Sequence, residues 1–423
     1  MNSIRTMMSQ AGCPPSQVER FVKRVEQFLS GEKAQIREQD IQPVESLPGL
    51  KELNPVPELL SEVAVVKLNG GLGTSMGLTG PKGLLEVKDG RDFYQILHSQ
   101  VQVFRAKSGF QPPLIFMNSF NTEAETEERL RGLGFEQGLP WGFRQSQVPK
   151  IKPDGTLPEV ESEYAWCPPG HGDIYASLLD AGLKERLLEA GIRYLFVSNI
   201  DNLGAVLDSR PLGYMRENGL AFLMEVTRRG ENDRKGGHLA YDSRGRLILR
   251  EVAQCPDQDM DRFQDIERHR FFNTNNLWID LSQISESWTD LPLIVNRKPV
   301  KPHQPDSQRV VQLEQAMGAA IGVVKNTGAL EVGRDRFLPV KTTNDLLLIR
   351  SDLYRLDDDY NLVSSSRRLP KVSLDPRHYK LIRDFERLVP SVPSLKDVLE
   401  LAVDGPVELH KDMSLEGKVH LKA

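Results

Sequence analysis

The chain has 423 residues, enough for about two or three domains with full-sized cores. Its 39% hydrophobic and 27% charged composition is that of a globular protein, and a net charge of −5 excludes any general attraction to nucleic acid or an anionic membrane, so a phosphate site has to be built locally. Cys13, Cys167 and Cys255 are too few for a disulfide scaffold and lack metal-ligand spacing, no apolar run nears the roughly 18 residues of a membrane span, and the N-terminus has no signal-peptide core; the cytoplasm is the expected compartment.

Residues 1–57 read as a helical N-terminal segment. Ser16-Gln-Val-Glu19 has the pattern of a capping box, and Val18, Phe21, Val22, Val25 and Phe28 follow a helical rhythm. Pro43, Pro48, Pro55 and Pro57 then break regular structure. A second region, 58–355, alternates strand-like and helix-like stretches. Val63–Val66, Pro113–Met117 and Tyr194–Ser198 are the apolar runs; Asn121–Leu133 and Asp173–Ala190 are the predicted helices. Such alternation predicts an α/β fold with a mainly parallel sheet, whose ligands gather beyond the strand carboxyl ends. Gly237–Arg250 reads as an inserted hairpin, and Val310–Ala320, with Glu314, as a packing helix. Residues 356–423 form a small β-rich tail. Its alternations run over Leu395–Glu400 and Val407–Val419, with Gly405 and Gly417 at turn positions.

Five motifs carry chemistry. Lys67-Leu-Asn-Gly-Gly-Leu-Gly-Thr-Ser-Met-Gly77 with Gly80-Pro-Lys82 follows the first strand. Its glycines expose backbone N–H groups to phosphate, and a helix starting after the loop would add its dipole. Pro81 between Gly80 and Lys82 excludes a P-loop, and Gly71, Gly73 and Gly77 are one residue too widely spaced for a dinucleotide fingerprint. Pro168-Pro-Gly-His-Gly-Asp173 is a stiffened loop presenting a histidine, or equally a turn ending in a helix-capping Asp173. Val197-Ser-Asn-Ile-Asp-Asn202 sets a carboxylate just past a strand, a frequent seat for Mg²⁺. Phe271-Phe-Asn-Thr-Asn-Asn-Leu-Trp278 packs asparagines, which suit sugar hydroxyls, between aromatics; it also reads as an asparagine-rich turn before a strand Leu277–Leu281. Arg336–Asp345 holds Lys341 after a short apolar run.

Taken in order, these motifs resemble the eukaryotic-type UTP–glucose-1-phosphate uridylyltransferases, over nearly the whole chain from about Val63. The resemblance implies a nucleotide-sugar transferase (Rossmann-like) domain with a mixed, mainly parallel sheet flanked by helices, a helical N-terminal segment and a short C-terminal left-handed β-helix-like portion. It implies UTP and glucose 1-phosphate as substrates, UDP-glucose and pyrophosphate as products, Mg²⁺ as cofactor, and a monomer or small homo-oligomer without nucleic-acid or membrane partners. Leu68, Asn69, Gly70, Gly71, Met117, Gln145, Gly170, Ser198 and Asn199 would bind the nucleotide. His171, Glu251, Phe272, Asn273 and Asn275 would bind the sugar and its phosphate. Asp201 would hold the metal, and Lys82 and Lys341 would be catalytic. Cys167, Arg144 and Gln147 depart from the family pattern around those positions. Two rivals follow: an enzyme making another UDP-sugar, such as UDP-N-acetylglucosamine, and a non-catalytic nucleotide-sugar sensor. The N-acetylglucosamine enzymes would carry a Gly-Gly-Gln-Gly-Thr-Arg loop instead, and Lys82, Asp201 and Lys341 argue against a mere sensor.

Overall fold

The structure is a computed structural model that describes all residues except 32–34, 302, 303, 305 and 367. Its ten-stranded central sheet takes β1 (Ile41–Pro43), β2 (Val63–Asn69), β3 (Leu114–Asn118), β4 (Gly142–Arg144), β5 (Tyr194–Asn199), β6 (Phe222–Arg228), β7 (His238–Asp242), β8 (Leu247–Arg250), β9 (Phe271–Asp280) and β12 (Thr327–Glu331). Between β9 and β12, β10 (Ile294–Pro299) and β11 (Arg309–Glu314) form a separate antiparallel hairpin. The main path runs β1-β7-β9-β5-β2-β3-β4, with β6 pairing β9 and β12, and β8 pairing β7.

β2 lies at the point that positions the site. It pairs in parallel with β3 on one side and with β5 on the other. The connections leave β2 in opposite directions, so a crevice opens beyond its carboxyl end. Beyond β5 the sheet turns antiparallel, through β9, β7 and β1. The predicted hairpin Gly237–Arg250 is β7–β8, but it is an extension of the main sheet's edge and not an insertion beside it. β2 is buried on both faces: Val63 and Val65 join one core, Ala64 and Val66 the other.

Helix α1 (Asn2–Gln10) and α2 (Pro15–Leu29) pack Ile4, Met8, Val18, Phe21, Val22 and Val25 against Val148, Ile151, Cys167, Val311 and Leu313, the back of the hairpin. The helical rhythm holds, but the capping box does not form. Pro14 is the N-cap, Pro15 opens the helix, and the Ser16 hydroxyl donates to Asp180 instead. α3 (Phe93–Ser108) is capped reciprocally by Asp92 and Gln95 and stopped by Gly109. α4 (Glu123–Gly132) begins where expected, but Thr122 does not cap it; its hydroxyl accepts from the Ser119 N–H. The helix expected over 173–190 is two, α5 (Ile174–Asp180) and α6 (Leu183–Glu189), split where Gly182 turns left-handed at φ +59°. Val310–Ala320 is not a helix: it is strand β11 followed by a short turn, Met317–Gly322.

The tail packs on the central core through Leu374, Tyr379, Leu388, Leu401 and Leu409. Its strands β13 (Lys371–Leu374), β14 (Val398–Asp404) and β15 (Gly417–Lys422) are parallel neighbours, as a β-helix-like portion requires. The alternation read over Val407–Val419 becomes strand only from Gly417. Among the described residues no helix is long and apolar enough to cross a membrane.

Candidate active site

A cavity of about 440 Å³ opens at the carboxyl ends of β2, β3 and β5. The loop after β2 forms one wall through Gly70, Gly71 and Gly73. It folds back on itself by a hydrogen bond from the Lys82 N–H to the Gly71 carbonyl, 3.2 Å. No helix follows the loop; it contains short turns at Thr74–Met76 and Lys82–Leu84, so the expected dipole is not supplied from there. Space is open where a Gly71 side chain would stand, while a side chain at Gly70 would strike the Gln145 amide at 2.3 Å. Leu68, Met117, Gln145 and Asn199 complete the floor and rim.

Two expected nucleotide ligands take another role through their side chains. Asn69 is buried; its amide donates to Tyr94, Asn118 and Thr126. Ser198 is fully buried, and its hydroxyl accepts from the Lys67 ammonium at 2.7 Å. Both side chains face the protein interior and brace strands whose neighbours, Leu68 and Asn199, reach the cavity.

The Pro168–Asp173 loop closes a second wall. Gly170 stands at φ +83°, and a Cβ there would lie 2.5 Å from the Gln315 carbonyl, so only glycine lets the loop sit against residue 315. His171 Nδ1 accepts from the Met317 N–H at 3.1 Å, which leaves its proton on Nε2. Burial lowers its pKa and favours this neutral form. Asp173 does not cap α5 through its side chain. It accepts from the Ser146 N–H and the Ser177 hydroxyl, tying the Gln145 loop to the helix. Cys167 also lines the cavity, and burial pushes its thiol up to about 12, an inert group.

The cavity floor carries its strongest charge contact. Lys82 Nζ lies 2.5 Å from Asp201 Oδ2, while Asp201 Oδ1 is buried without a hydrogen-bond partner. That orphaned oxygen fits a divalent cation. Among the described residues no cluster of three ligating side chains exists, so a metal here would take most of its shell from phosphate oxygens and water. Asp201 is also fixed through its backbone, its carbonyl accepting from the Val340 N–H, one residue before Lys341.

The asparagine motif lies within β9 and not in a turn before it. Asn275 is left-handed at φ +59° beside a bulge opposite Glu225 and Val226. The bulge lets Asn273 and Asn275 bond each other, amide to carbonyl at 2.8 Å and N–H to carbonyl at 2.9 Å. Phe272, Phe337 and Lys341 stand beside them, the ammonium 5.8 and 5.5 Å from the two ring centres. Burial raises the Glu251 pKa, and the Lys341 charge opposes that rise. These residues form a second group, outside the lining of the 440 Å³ cavity. His171 links the two groups: its partner Met317 precedes Gly318, where a Cβ would lie 3.0 Å from the Asn273 amide.

Sequence reasoning missed four contributors. Lys298, Gln312 and Glu314 line the cavity from the β10–β11 hairpin, so Glu314 is not a packing residue. The signal was period-two alternation, with Val311 and Leu313 buried inward and Gln312 and Glu314 facing the cavity. Lys67, the first residue of the glycine motif, is buried, and burial lowers its ammonium pKa to about 7.

A family model for UTP–glucose-1-phosphate uridylyltransferase matches residues 18–416. The chain is 38% identical over 420 residues to the UTP–glucose-1-phosphate uridylyltransferase of Hordeum vulgare, covering 95% of this chain and 88% of that protein. To the Saccharomyces cerevisiae enzyme of the same name it is 40% identical over 371 residues, 85% and 74% of the two chains. Among solved structures, a UDP-glucose phosphorylase of Trypanosoma brucei superposes with a TM-score of 0.91 at 43% identity, covering 99% of this chain and 94% of that one. The UDP-glucose pyrophosphorylase of Leishmania major, described in open and closed structures, superposes with a TM-score of 0.92 at 41% identity, covering 100% and 94%.

Proposed function

The chain belongs to the UTP–glucose-1-phosphate uridylyltransferase family, and from that membership we propose that its glycine-walled cavity holds UTP while the Asn273–Asn275 group holds the glucose of glucose 1-phosphate. The enzyme forms UDP-glucose and pyrophosphate from these substrates, reversibly. The observation that carries the assignment of sites is the Lys82–Asp201 pair inside the cavity. Each partner has a natural replacement: a phosphate for the lysine, a metal for the carboxylate.

The sugar phosphate attacks the α-phosphorus of UTP in line, and pyrophosphate leaves. The nucleophile is already anionic, so no general base is needed, and neutral His171 positions the sugar phosphate by its Nε2 proton. The barrier is repulsion between two polyanions. At an effective dielectric near 20, two unit charges about 4 Å apart cost roughly 4 kcal/mol. Lys82, Lys298 and Lys341 offset that cost, and Gly70 and Gly71 present N–H groups toward the phosphates. Mg²⁺, held by Asp201, supplies charge neutralisation at the phosphates when bound. The three free thiols suit a reducing compartment, and we place the enzyme in the cytoplasm.

The test is pyrophosphate release with UTP and a panel of sugar 1-phosphates. Selective turnover of glucose 1-phosphate is expected. Preference for N-acetylglucosamine 1-phosphate overturns the substrate, and no turnover of any member leaves a sensor.

A further inference from the structure

Lys67 is the only lysine of the glycine motif that cannot reach a ligand in the cavity. Leu68, the next residue, faces the cavity; Lys67 faces the opposite side of β2, toward Phe196 and a separate space of about 370 Å³. Burying an ammonium costs several kcal/mol unless its bonds return the cost. Its bonds are two. Nζ donates to Ser198 Oγ at 2.7 Å and to the Ala205 carbonyl at 3.1 Å. These partners bracket the turn that carries Asn199 and Asp201, one just before it and one just after.

The turn has other supports, and none does the same work. The Ile200 N–H donates to the Leu68 carbonyl. The Asn202 amide donates to Asn276 and to the Arg336 carbonyl. The Val340 N–H holds the Asp201 carbonyl and Lys82 pairs with its carboxylate, and all of these fasten the middle of the turn from the sides. Among the described residues, only the Lys67 side chain bonds both ends of the turn, Ser198 and Ala205. Arg336, also buried, is paired with Glu225 and donates to the Val206 carbonyl at 3.0 Å, so it holds the exit of the turn alone.

We infer that Lys67 is a positioning residue for Asp201: by hooking both ends of the 198–205 turn, its ammonium sets where the metal-holding carboxylate stands. This rests on the reading of Asp201 as the Mg²⁺ ligand. Partners one bond removed from a metal ligand commonly change metal affinity or activity about 10–100-fold when lost. Lysine is suited to this because its head offers three donors on a stem long enough to cross the core from β2.

The test uses Lys67→Met, Ser198→Ala and Asp201→Asn in the whole enzyme. Methionine keeps the stem's volume next to existing space and removes the charge, so melting temperature is expected to hold or rise. UTP binding is measured calorimetrically with excess Mg²⁺ and with excess chelator. The ratio of the two affinities reports metal coupling without turnover. Lys67→Met is expected to cut this ratio about 10-fold or more and kcat about 100-fold, with chelator-condition UTP affinity unchanged. Ser198→Ala, which removes one hook, falls between. If Asp201→Asn collapses the ratio and Lys67→Met leaves it and kcat at wild-type values, the positioning role is overturned while the metal site stands. If Asp201→Asn leaves the ratio unchanged, the metal assignment fails, and the role of Lys67 with it. Loss of UTP affinity in chelator equal to that in Mg²⁺ identifies a general strut and also overturns the proposal.

Discussion

The parallel and antiparallel halves of the sheet hold their ligand groups by different means. In the parallel half, Gly70, Gly71, Met117 and Asn199 stand on or just before loops at the ends of β2, β3 and β5. Those loops are held by backbone bonds such as Lys82 N–H to the Gly71 carbonyl and Ile200 N–H to the Leu68 carbonyl. In the antiparallel half, Asn273 and Asn275 sit inside a bulged strand. Its underside is fixed by a buried charge network: Glu225 accepts from Arg336, Trp278 and Asn276. A second network behind β7 joins Glu38 to Arg250, Arg268 and His269. On the proposed assignment, the half that meets polyanions carries an ion pair, Lys82–Asp201, that can exchange partners. The half proposed to read hydroxyls is braced by buried charge, as discriminating hydrogen-bond geometry needs fixed donors and acceptors.

Mutations in the two halves should therefore separate turnover from stability. The largest effect expected is on the parallel half: excess chelator lowers turnover about 10³-fold or more while the melting temperature in the absence of UTP stays constant. Full activity in chelator removes the metal from Asp201. Next comes the antiparallel half. Glu225→Gln leaves Arg336 buried without its counter-charge and is expected to cost about 3–5 kcal/mol in urea unfolding. Adding Arg336→Met should return most of that loss. If the double substitution is no more stable than the single one, the pair is not the strut described. Lys341→Ala is third, because its ammonium stands over two ring faces and the residue is exposed. Turnover should fall about 10²–10³-fold with unfolding unchanged; near wild-type turnover in the purified variant removes Lys341 from the reaction.

The same contrast explains what the sequence disclosed. The glycine loop, Pro168–Asp173 and the 197–202 segment are local devices, so glycine, proline and an aspartate after an apolar run announce them directly. The motifs in sum also named the family, and the α/β alternation gave the strands beside β2. Elements fixed by distant partners stayed hidden. β11 read as helix because a run as short as Val310–Leu313 has no length to separate the two periods. Asn273–Asn276 also read as a turn because the bulge depends on β6. Which of Asn69, Ser198 and their neighbours faces the cavity depends on the pleat of the sheet, invisible without the strand order. The roles of Lys67, Glu225 and Arg336 exist only across the core.

The smallest effect tests the antiparallel half by acid. His238 and His269 stack with ring centres 3.8 Å apart, and both are buried. Burial lowers both pKa values, most for His238, whose charged form is also disfavoured by His269, Arg229 and Arg250. Glu38 opposes the shift at His269 through its hydrogen bond, and Asp259 lies on the far side of Arg250. The unfolded chain protonates both imidazoles below their ordinary value near 6.5, while the folded state does not. The unfolded state then binds more protons, so stability falls as pH drops through 6.5 and levels off below the folded-state values. His171, lowered in the same direction, adds to the slope from the parallel half. His238→Phe keeps a ring in the stack and removes one titrating group. Its melting temperature should fall less than that of the wild type between pH 7.5 and 5.5, with His171 contributing equally to both proteins. Identical slopes would remove His238 from the acid sensitivity.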